Sequence, residues 1–146
     1  MELTRRTLKI KCKPATFNNQ WANEDLVNRM QVLMHAKGGI GLAANQCGER
    51  VRVFIMLVDG KFWTCFNPEI LESNSNLAKF DEGCLSFPGE TCIIKRPDSI
   101  LVKYFDITGI EIIERLEGLA SRCFQHELDH LNGITMHDRY KEQNAE

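Results

Sequence analysis

"CFQHELDHLNG" (residues 123–133) contains the pattern His-Glu-x-x-His, with His126 and His130 four residues apart. On an α-helix, residues at i and i+4 project from the same side, so both imidazoles could bind one metal ion. The spacing of apolar residues over segment 117–131 predicts an α-helix that carries this pattern. His126, Glu127 and His130 lie on its apolar side or at the edge of that side, where an unpaired charge is costly. The motif therefore indicates a metal site against the core.

Length and composition favour one globular domain. The chain has 146 residues, 43% hydrophobic and 26% charged, with a net charge of −2. This balance gives no sign of a nucleic-acid surface. No apolar run is long enough for a membrane helix, and no signal peptide is evident. The six cysteines lack the spacing of a disulfide framework. We expect a single domain over 1–146 in a reducing, cytoplasmic compartment, without membrane contact.

The order of predicted elements favours the α+β class. A first helix should begin at Asn23 as its N-cap and end at Gly38-Gly39. Asp59-Gly60 predicts a hairpin between two apolar runs. Further strands are predicted near 91–95, 99–106 and 110–116, and "TLKIKCK" (7–13) alternates like a strand. Antiparallel strands around the helix that carries the motif would then form one unit.

The two histidines need a third protein ligand, and the downstream candidates fit poorly. "HELDHLNGITMH" (126–137) nearly matches the metzincin pattern, but Met136 occupies the last ligand position and His137 comes one residue late. Glu142 lies in a polar tail that we expect to be frayed. We therefore expect His137 to lie at the surface or behind the ligands.

Two upstream segments offer better partners. Cys84 in "DEGCLSFPGE" (81–90) follows a glycine in a turn, and its thiolate would complete a Cys/His/His set with an open fourth position. Its alternative role is that of a buried core cysteine. "GGIGLAANQCG" (38–48) predicts an extended segment against which a peptide could lie, with Gln46 as an amide donor. A phosphate-binding loop is disfavoured because no strand precedes it.

Three stretches together resemble the signature motifs of the peptide deformylases: "GIGLAANQ" (39–46), "EGCLS" (82–86) and "QHELDH" (125–130). Their order and spacing are similar to those of the family, and the resemblance runs from the first helix to about residue 138. It implies a peptide-deformylase-like α+β fold. It also implies a hydrolase that removes the formyl group from the N-terminal formylmethionine of nascent polypeptides and releases formate.

The resemblance also implies roles for individual residues. Cys84, His126 and His130 would bind one divalent metal ion, with Fe²⁺ expected as the native ion and Zn²⁺, Ni²⁺ or Co²⁺ as substitutes. Glu127 would be the catalytic acid and base, and the Gln46 amide and the Leu85 N–H would stabilise the oxyanion. The substrate would contact Gly39, Ile40, Gly41, Phe80, Glu82, Gly83, Leu119, Cys123 and His126.

Outside the motifs, the resemblance suggests one supporting interaction. The family position of Arg96 implies a pair with Asp129, whose alternative is a solvated carboxylate. On the helical wheel the outer side carries Ser121, Arg122, Gln125, Asp129 and Asn132.

Some alternatives stay open. Bacterial members often continue into a long C-terminal helix that can dock on the ribosome. Because this sequence stops at "DRYKEQNAE", we expect any ribosome contact to use another surface. A monomer without specific nucleic-acid binding is expected. The rival functions are a small zincin-type metalloendopeptidase, which would require His137, and a non-catalytic binder of peptide N-termini, which would not need Glu127.

Overall fold

The computed structural model describes residues 1–145. Its elements are α1 (Gln20–Ala36), β1 (Gly41–Ala43), a 3₁₀ turn (Ala44–Cys47), β2 (Val53–Val58), β3 (Lys61–Ser73), β4 (Leu77–Gly83), β5 (Thr91–Pro97), β6 (Ser99–Phe105), β7 (Glu111–Glu117), α2 (Gly118–Leu131) and α3 (Met136–Gln143). Five strands form an antiparallel sheet in the order β1-β2-β3-β6-β7, and β4 pairs with β5 in a separate hairpin. The predicted α+β class with antiparallel strands around the motif helix is confirmed.

The larger sheet lies between α1 and α2. Along β2, Phe54 and Met56 pack with Phe124 of α2, whereas Val53 and Ile55 pack with the α1 side of the core. These four side chains of β2 are fully buried. A continuous apolar run is what a strand covered on both faces requires, and this explains why "VFIMLV" shows no alternation of polar and apolar residues.

The Asp59-Gly60 turn joins β2 to β3 as predicted. Both residues have positive φ, +51° and +77°, and Val58 pairs directly with Lys61. A two-residue turn of this kind matches the right-handed twist of the two strands.

The first helix begins earlier than predicted. Its N-cap is Asn19, whose side chain accepts a hydrogen bond from the Ala22 N–H at 3.0 Å. Asn23 instead lies inside the first turn, and its side-chain amide donates to the Thr16 carbonyl. Both asparagines are good caps, and tertiary contacts decide between them. The predicted end at Gly38, with φ of +69°, is correct.

Two predictions near the termini are wrong. Segment 7–13 is not a strand: it begins in a turn and continues as irregular backbone, with Lys13 in one isolated bridge to Val51. Thr7 and Leu8 are adjacent and both buried, so side chains there do not alternate between core and solvent as in a strand. The polar tail is also not frayed. It forms α3, which is capped by Thr135, and Glu142 lies on that helix. Glu146, the last residue of the expected domain, lies outside the described residues.

The contact between α2 and β2 yields a stability prediction. The rings of Phe54 and Phe124 meet edge to face with centroids 5.0 Å apart, and both side chains are fully buried. Phe124→Ala should lower the free energy of unfolding by about 3–5 kcal/mol because it removes apolar burial and leaves a cavity. Ile113→Ala, at a side chain that is 54% exposed, is the control and should cost well under half as much. Urea denaturation of both variants measures the difference, and equal losses would contradict the prediction.

Candidate metal centre and active site

Three predicted ligands lie together in the structure. The Sγ of Cys84 and the ring nitrogens of His126 and His130 all lie within 4.8 Å of one another. The two Nε2 atoms are 3.2 Å apart, and the His130 Nε2 lies 3.4 Å from Sγ. Within residues 1–145 no other set of three or more histidine, cysteine, aspartate or glutamate side chains meets this criterion.

Two separate elements supply these atoms. His126 and His130 are stacked one turn apart on α2, as their spacing predicts. Cys84 directly follows β4, and its carbonyl accepts the Phe87 N–H at 2.9 Å in the predicted turn. Asn45 connects the first motif to the helix motif, because its side-chain amide donates a hydrogen bond to the His130 carbonyl. The sequence did not single out Asn45, although it lies inside the first motif.

Protonation in the site is consistent with a cation position. Burial alone would lower the pKa of His126, but hydrogen bonds with Cys84 and Glu82 raise it to about 10. Burial lowers the pKa of His130 well below its ordinary value. Without a metal, one of the two facing imidazoles therefore carries a second ring proton and is positively charged. A cation would displace this proton, and two imidazoles with one thiolate are donors that Fe²⁺, Zn²⁺, Co²⁺ and Ni²⁺ all accept.

Glu82 is the buried neighbour that orients His126. It is 5% exposed, and its Oε1 accepts the His126 Nδ1–H at 2.8 Å, which leaves the Nε2 of that ring facing the His130 Nε2. Both oxygens also accept from Arg96, and Oε2 accepts from Arg122. Burial would raise the pKa of Glu82, but the hydrogen bonds from His126 and Arg96 outweigh it and hold that pKa at about 2.

Glu127 has a different environment. It is 3% exposed, and its Oε1 has no hydrogen-bond partner among the described residues. Burial raises the pKa of Glu127 to about 7, against the opposing charge of His126. The other carboxylate oxygen faces the backbone of β1 so closely that a Cβ on Gly41 would lie 2.4 Å from it. A carboxyl group of this kind can gain or lose a proton near neutral pH.

The side chain of Gln46 is held at both ends. Its Oε1 accepts the Ala43 N–H at 2.9 Å, and its Nε2 donates to the Ser86 Oγ at 3.0 Å and lies 3.5 Å from the Cys84 Sγ. Since the carbonyl end is occupied, the amide N–H groups are fixed toward the cysteine. The Leu85 side chain packs on Gly39, where an added Cβ would lie only 2.5 Å from Cδ1.

A cavity of about 710 Å³ opens beside these groups. All the residues predicted to contact the substrate line it: Gly39, Ile40, Gly41, Phe80, Glu82, Gly83, Leu119, Cys123 and His126. Gln46, Cys84, Leu85 and Glu127 also border the cavity. The sequence therefore predicted residues that the structure brings to one place. For Glu82, however, the carboxylate is engaged by arginines rather than left free for a ligand.

His137 lies apart from this cluster. Its Nε2 is 3.1 Å from the Glu90 Oε1. Its ring packs edge to face with that of Phe87, with the ring centroids 4.6 Å apart. It belongs to α3, and its side chain is 34% exposed. This position matches the expectation of a surface histidine and removes the ligand that an endopeptidase site would require.

The expected Arg96–Asp129 pair is present, with Nη1 2.9 Å from Oδ2. Its predicted setting is wrong, however. Asp129 is 7% exposed rather than on an outer face, and Ser121, Arg122 and Gln125 are buried as well. Their polar atoms bond the β4–β5 hairpin, Arg122 at the Ala78 carbonyl and both Ser121 and Gln125 at the Pro97 carbonyl. Arg122 was missed because the helical wheel assumed that the polar side of α2 faces water.

The low pKa of Glu82 predicts an acid-dependent loss of stability. The pKa of Glu82 is about 2 in the folded protein, below the ordinary 4.5. The ionised carboxylate therefore adds about 3 kcal/mol to the free energy of unfolding above pH 4.5, and this contribution is lost as the pH falls toward 2. The gap in unfolding free energy between the wild type and Glu82→Gln should therefore narrow on acidification. Urea unfolding of the metal-free proteins across this range measures the gap. A gap that stays constant with pH would contradict the prediction.

Comparison with known proteins identifies the family. The sequence model described as polypeptide deformylase matches residues 1–146. The peptide deformylase of Thermotoga maritima is 42% identical over 132 residues, which cover 90% of this chain and 80% of that protein. The crystal structure of Thermotoga maritima peptide deformylase superposes with a TM-score of 0.89 at 38% identity, covering 95% of this chain and 97% of that one.

A second solved structure gives the same result. Class I type b peptide deformylase from Acinetobacter baumannii superposes with a TM-score of 0.90 at 32% identity, covering 95% of this chain and 97% of that chain. The predicted fold and enzyme class are therefore confirmed. The chain belongs to the peptide deformylases, the metalloenzymes that hydrolyse the N-formyl group from the N-terminal formylmethionine of new polypeptides.

Proposed function

We propose that Cys84, His126 and His130 hold one divalent metal ion for this reaction, with Fe²⁺ as the native ion and Zn²⁺, Ni²⁺ or Co²⁺ as substitutes. The observation that carries the proposal is the convergence of one sulfur and two ring nitrogens within 4.8 Å. Three protein ligands leave a fourth position for water or substrate, as catalytic metal sites require. A thiolate ligand suits Fe²⁺ and makes the site sensitive to oxidation.

Glu127 is the proposed general base and then general acid. A divalent cation held by Cys84, His126 and His130 would lower the pKa of a water molecule and polarise the formyl carbonyl. The Glu127 carboxylate takes the proton of the attacking water and later delivers it to the departing amine. Its pKa of about 7 supports this role, because both directions of proton transfer then need little driving force.

Gln46 and Leu85 are the proposed oxyanion donors. The Nε2 of Gln46 and the backbone N–H of Leu85 would donate to the formyl oxygen as it gains negative charge. The bonds from Gln46 to Ala43 and Ser86 support this role because they orient the amide before substrate arrives. A donor that is already oriented needs no reorganisation during the reaction.

The proposed substrate site uses the walls of the cavity. Phe80, Leu119 and Cys123 would contact the methionine side chain, and Gly39 and Glu82 would complete that wall. The peptide backbone would pair with Ile40, with Gly41 at the start of β1 and with Gly83 at the end of β4. In the structure β4 pairs with β5 on one side. Addition of a peptide strand to a sheet edge is a common recognition mode.

The cellular setting of the reaction is also a proposal. We infer that residues 1–146 form a single catalytic domain, monomeric and cytoplasmic, acting on formylmethionyl peptides as they are made. Membranes and specific nucleic acids are not expected partners. Within residues 1–145, none of the helices is long and apolar enough to cross a bilayer.

The proposed roles are tested by formate release from a formyl-Met dipeptide. With protein prepared anaerobically in Fe²⁺, Glu127→Gln should lower kcat by about 10²–10⁴ because it removes the proton acceptor and keeps the shape. Its metal content should stay that of the wild type, whereas Cys84→Ala should lose the metal. The control His137→Ala should release formate normally. Wild-type protein that holds metal but releases no formate would contradict the proposed function, and so would an active Glu127→Gln.

Gly41 provides a second test of Glu127. A Cβ there would lie 2.4 Å from the Glu127 Oε2 and 2.9 Å from the Cys123 Sγ, so Gly41→Ala must displace the carboxylate. Because a shift of about 1 Å can cost on the order of 10²-fold in rate, kcat at saturating peptide should fall by a similar factor. Bound metal, measured by elemental analysis, should remain at wild-type levels. A normal kcat in this variant would show that the position of Glu127 is unimportant.

A further inference from the structure

A continuous series of charged hydrogen bonds connects the metal centre to α3. Glu82 accepts the Nδ1–H of His126 at 2.8 Å and binds Arg96 through both of its oxygens. Arg96 donates from Nη1 to the Asp129 Oδ2 at 2.9 Å. Asp129 also binds Arg139 of α3 through both oxygens, with Nε–Oδ2 at 3.0 Å and Nη2–Oδ1 at 2.8 Å. The series therefore contains two bidentate pairs, each with fixed geometry.

Burial makes this series rigid. Arg96 and Glu82 are each 5% exposed, and Asp129 is 7% exposed. A buried carboxylate or guanidinium that loses one partner has no water to replace it, so each group must keep its neighbours. The Arg139 side chain is 30% exposed, so the series reaches the surface of the protein there.

The placement of Arg139 depends on how α3 is held. Thr135 caps the start of the helix, and its hydroxyl accepts the Asp138 N–H. Near the other end, the side-chain amide of Gln143 accepts the Lys95 N–H at 2.9 Å and donates to the Lys95 carbonyl at 2.8 Å. Lys95 precedes Arg96 on β5. The helix is thus aligned with the strand that carries the central arginine of the series.

We propose that Arg139 is a positioning residue for the metal centre. By binding both oxygens of Asp129 it fixes the direction in which Asp129 holds Arg96. Arg96 in turn fixes the Glu82 carboxylate that orients the His126 ring. This inference rests on the proposed role of His126 as a metal ligand. Groups that hydrogen-bond to ligating histidines commonly set metal affinity, and here the series extends that control to α3.

Arg139 could instead act only by docking α3 on the protein, without any effect that depends on Glu82. The two roles differ in how the effects of variants combine. If Arg139 acts through Asp129, Arg96 and Glu82, removal of the Glu82 carboxylate should abolish most of its influence on the metal. If it only docks α3, its effect should be the same whether Glu82 is present or absent.

The test uses Co²⁺-loaded protein and measures the rate of metal release to a chelator. Arg139→Gln should release Co²⁺ about tenfold faster, at the lower end of the range known for groups behind the ligands. Arg139→Lys keeps the charge but loses the bidentate geometry, and it should also release the metal faster. Glu142→Gln removes the exposed partner of Arg139 at 3.3 Å and leaves Asp129 untouched, so its release rate should equal that of the wild type.

Two further measurements separate positioning from docking. In a Glu82→Gln background, or in an Arg96→Gln background if Glu82→Gln fails to bind Co²⁺, Arg139→Gln should change the release rate less than twofold. The visible absorption bands of Co²⁺ in fully loaded Arg139→Gln should also shift, since altered stability alone does not change the ligand field. If Arg139→Gln raises the Co²⁺ release rate by the same factor in both backgrounds, or leaves the Co²⁺ absorption bands unchanged, the inference is overturned. Failure of the wild-type protein to bind Co²⁺ would overturn the ligand assignment, and the inference with it.

Discussion

The buried carboxylate of Glu82 joins the parts of the molecule that form the site. Its two oxygens accept from His126 and Arg122 on α2 and from Arg96 on β5. Because an unpaired buried carboxylate would cost several kcal/mol, the β4–β5 hairpin can pack on α2 only where all these bonds form. Cys84 follows Glu82 by two residues, so the same packing brings the thiol to the histidines. One ionic contact thus determines the relative position of ligands from two distant parts of the chain.

The motif helix is consequently enclosed on nearly every side. Its apolar side packs on the sheet through Phe124, and its polar side packs on the hairpin through Arg122, Gln125 and Asp129. Arg122 donates to the carbonyls of both hairpin strands, at Ala78 and Ile94. Polar atoms along this interface bond to backbone carbonyls and carboxylates, so burial of the helix leaves few of them unpaired. Enclosure also excludes water from the ionic contacts between α2 and the hairpin, which strengthens the charge interactions there.

Local patterns in the sequence predicted the elements whose determinants are local. The Asp59-Gly60 turn, the i and i+4 histidines and the strands after Thr91 follow from turn chemistry and side-chain period. Motif order predicted which residues surround the cavity. The strand prediction for segment 7–13 failed because Leu8 and Cys12 are buried from a turn and from irregular backbone, and their spacing within a short alternating run gave the appearance of a strand.

The contacts of Arg122 and Arg139 could not be predicted for a different reason. A helical wheel separates polar from apolar side chains but does not show whether water or another polar surface covers the polar side. In this protein the β4–β5 hairpin and α3 cover it, and of these elements only β5 was predicted. A polar helix face opposite a metal motif, in a chain with several arginines, is the one signal that pointed toward a buried network.

Glu82 and Glu127 illustrate how one helix and its neighbours can hold two carboxylates in opposite states. Glu82 accepts hydrogen bonds from arginines and an imidazole, and its pKa of about 2 keeps it ionised throughout the neutral range. Glu127 is equally buried but receives no such bonds at Oε1, and its pKa of about 7 leaves it able to exchange a proton. Separation of two pKa values by environment is how enzymes divide structural and proton-transfer roles between like groups. The contrast supports Glu127, rather than Glu82, as the group that moves protons during hydrolysis.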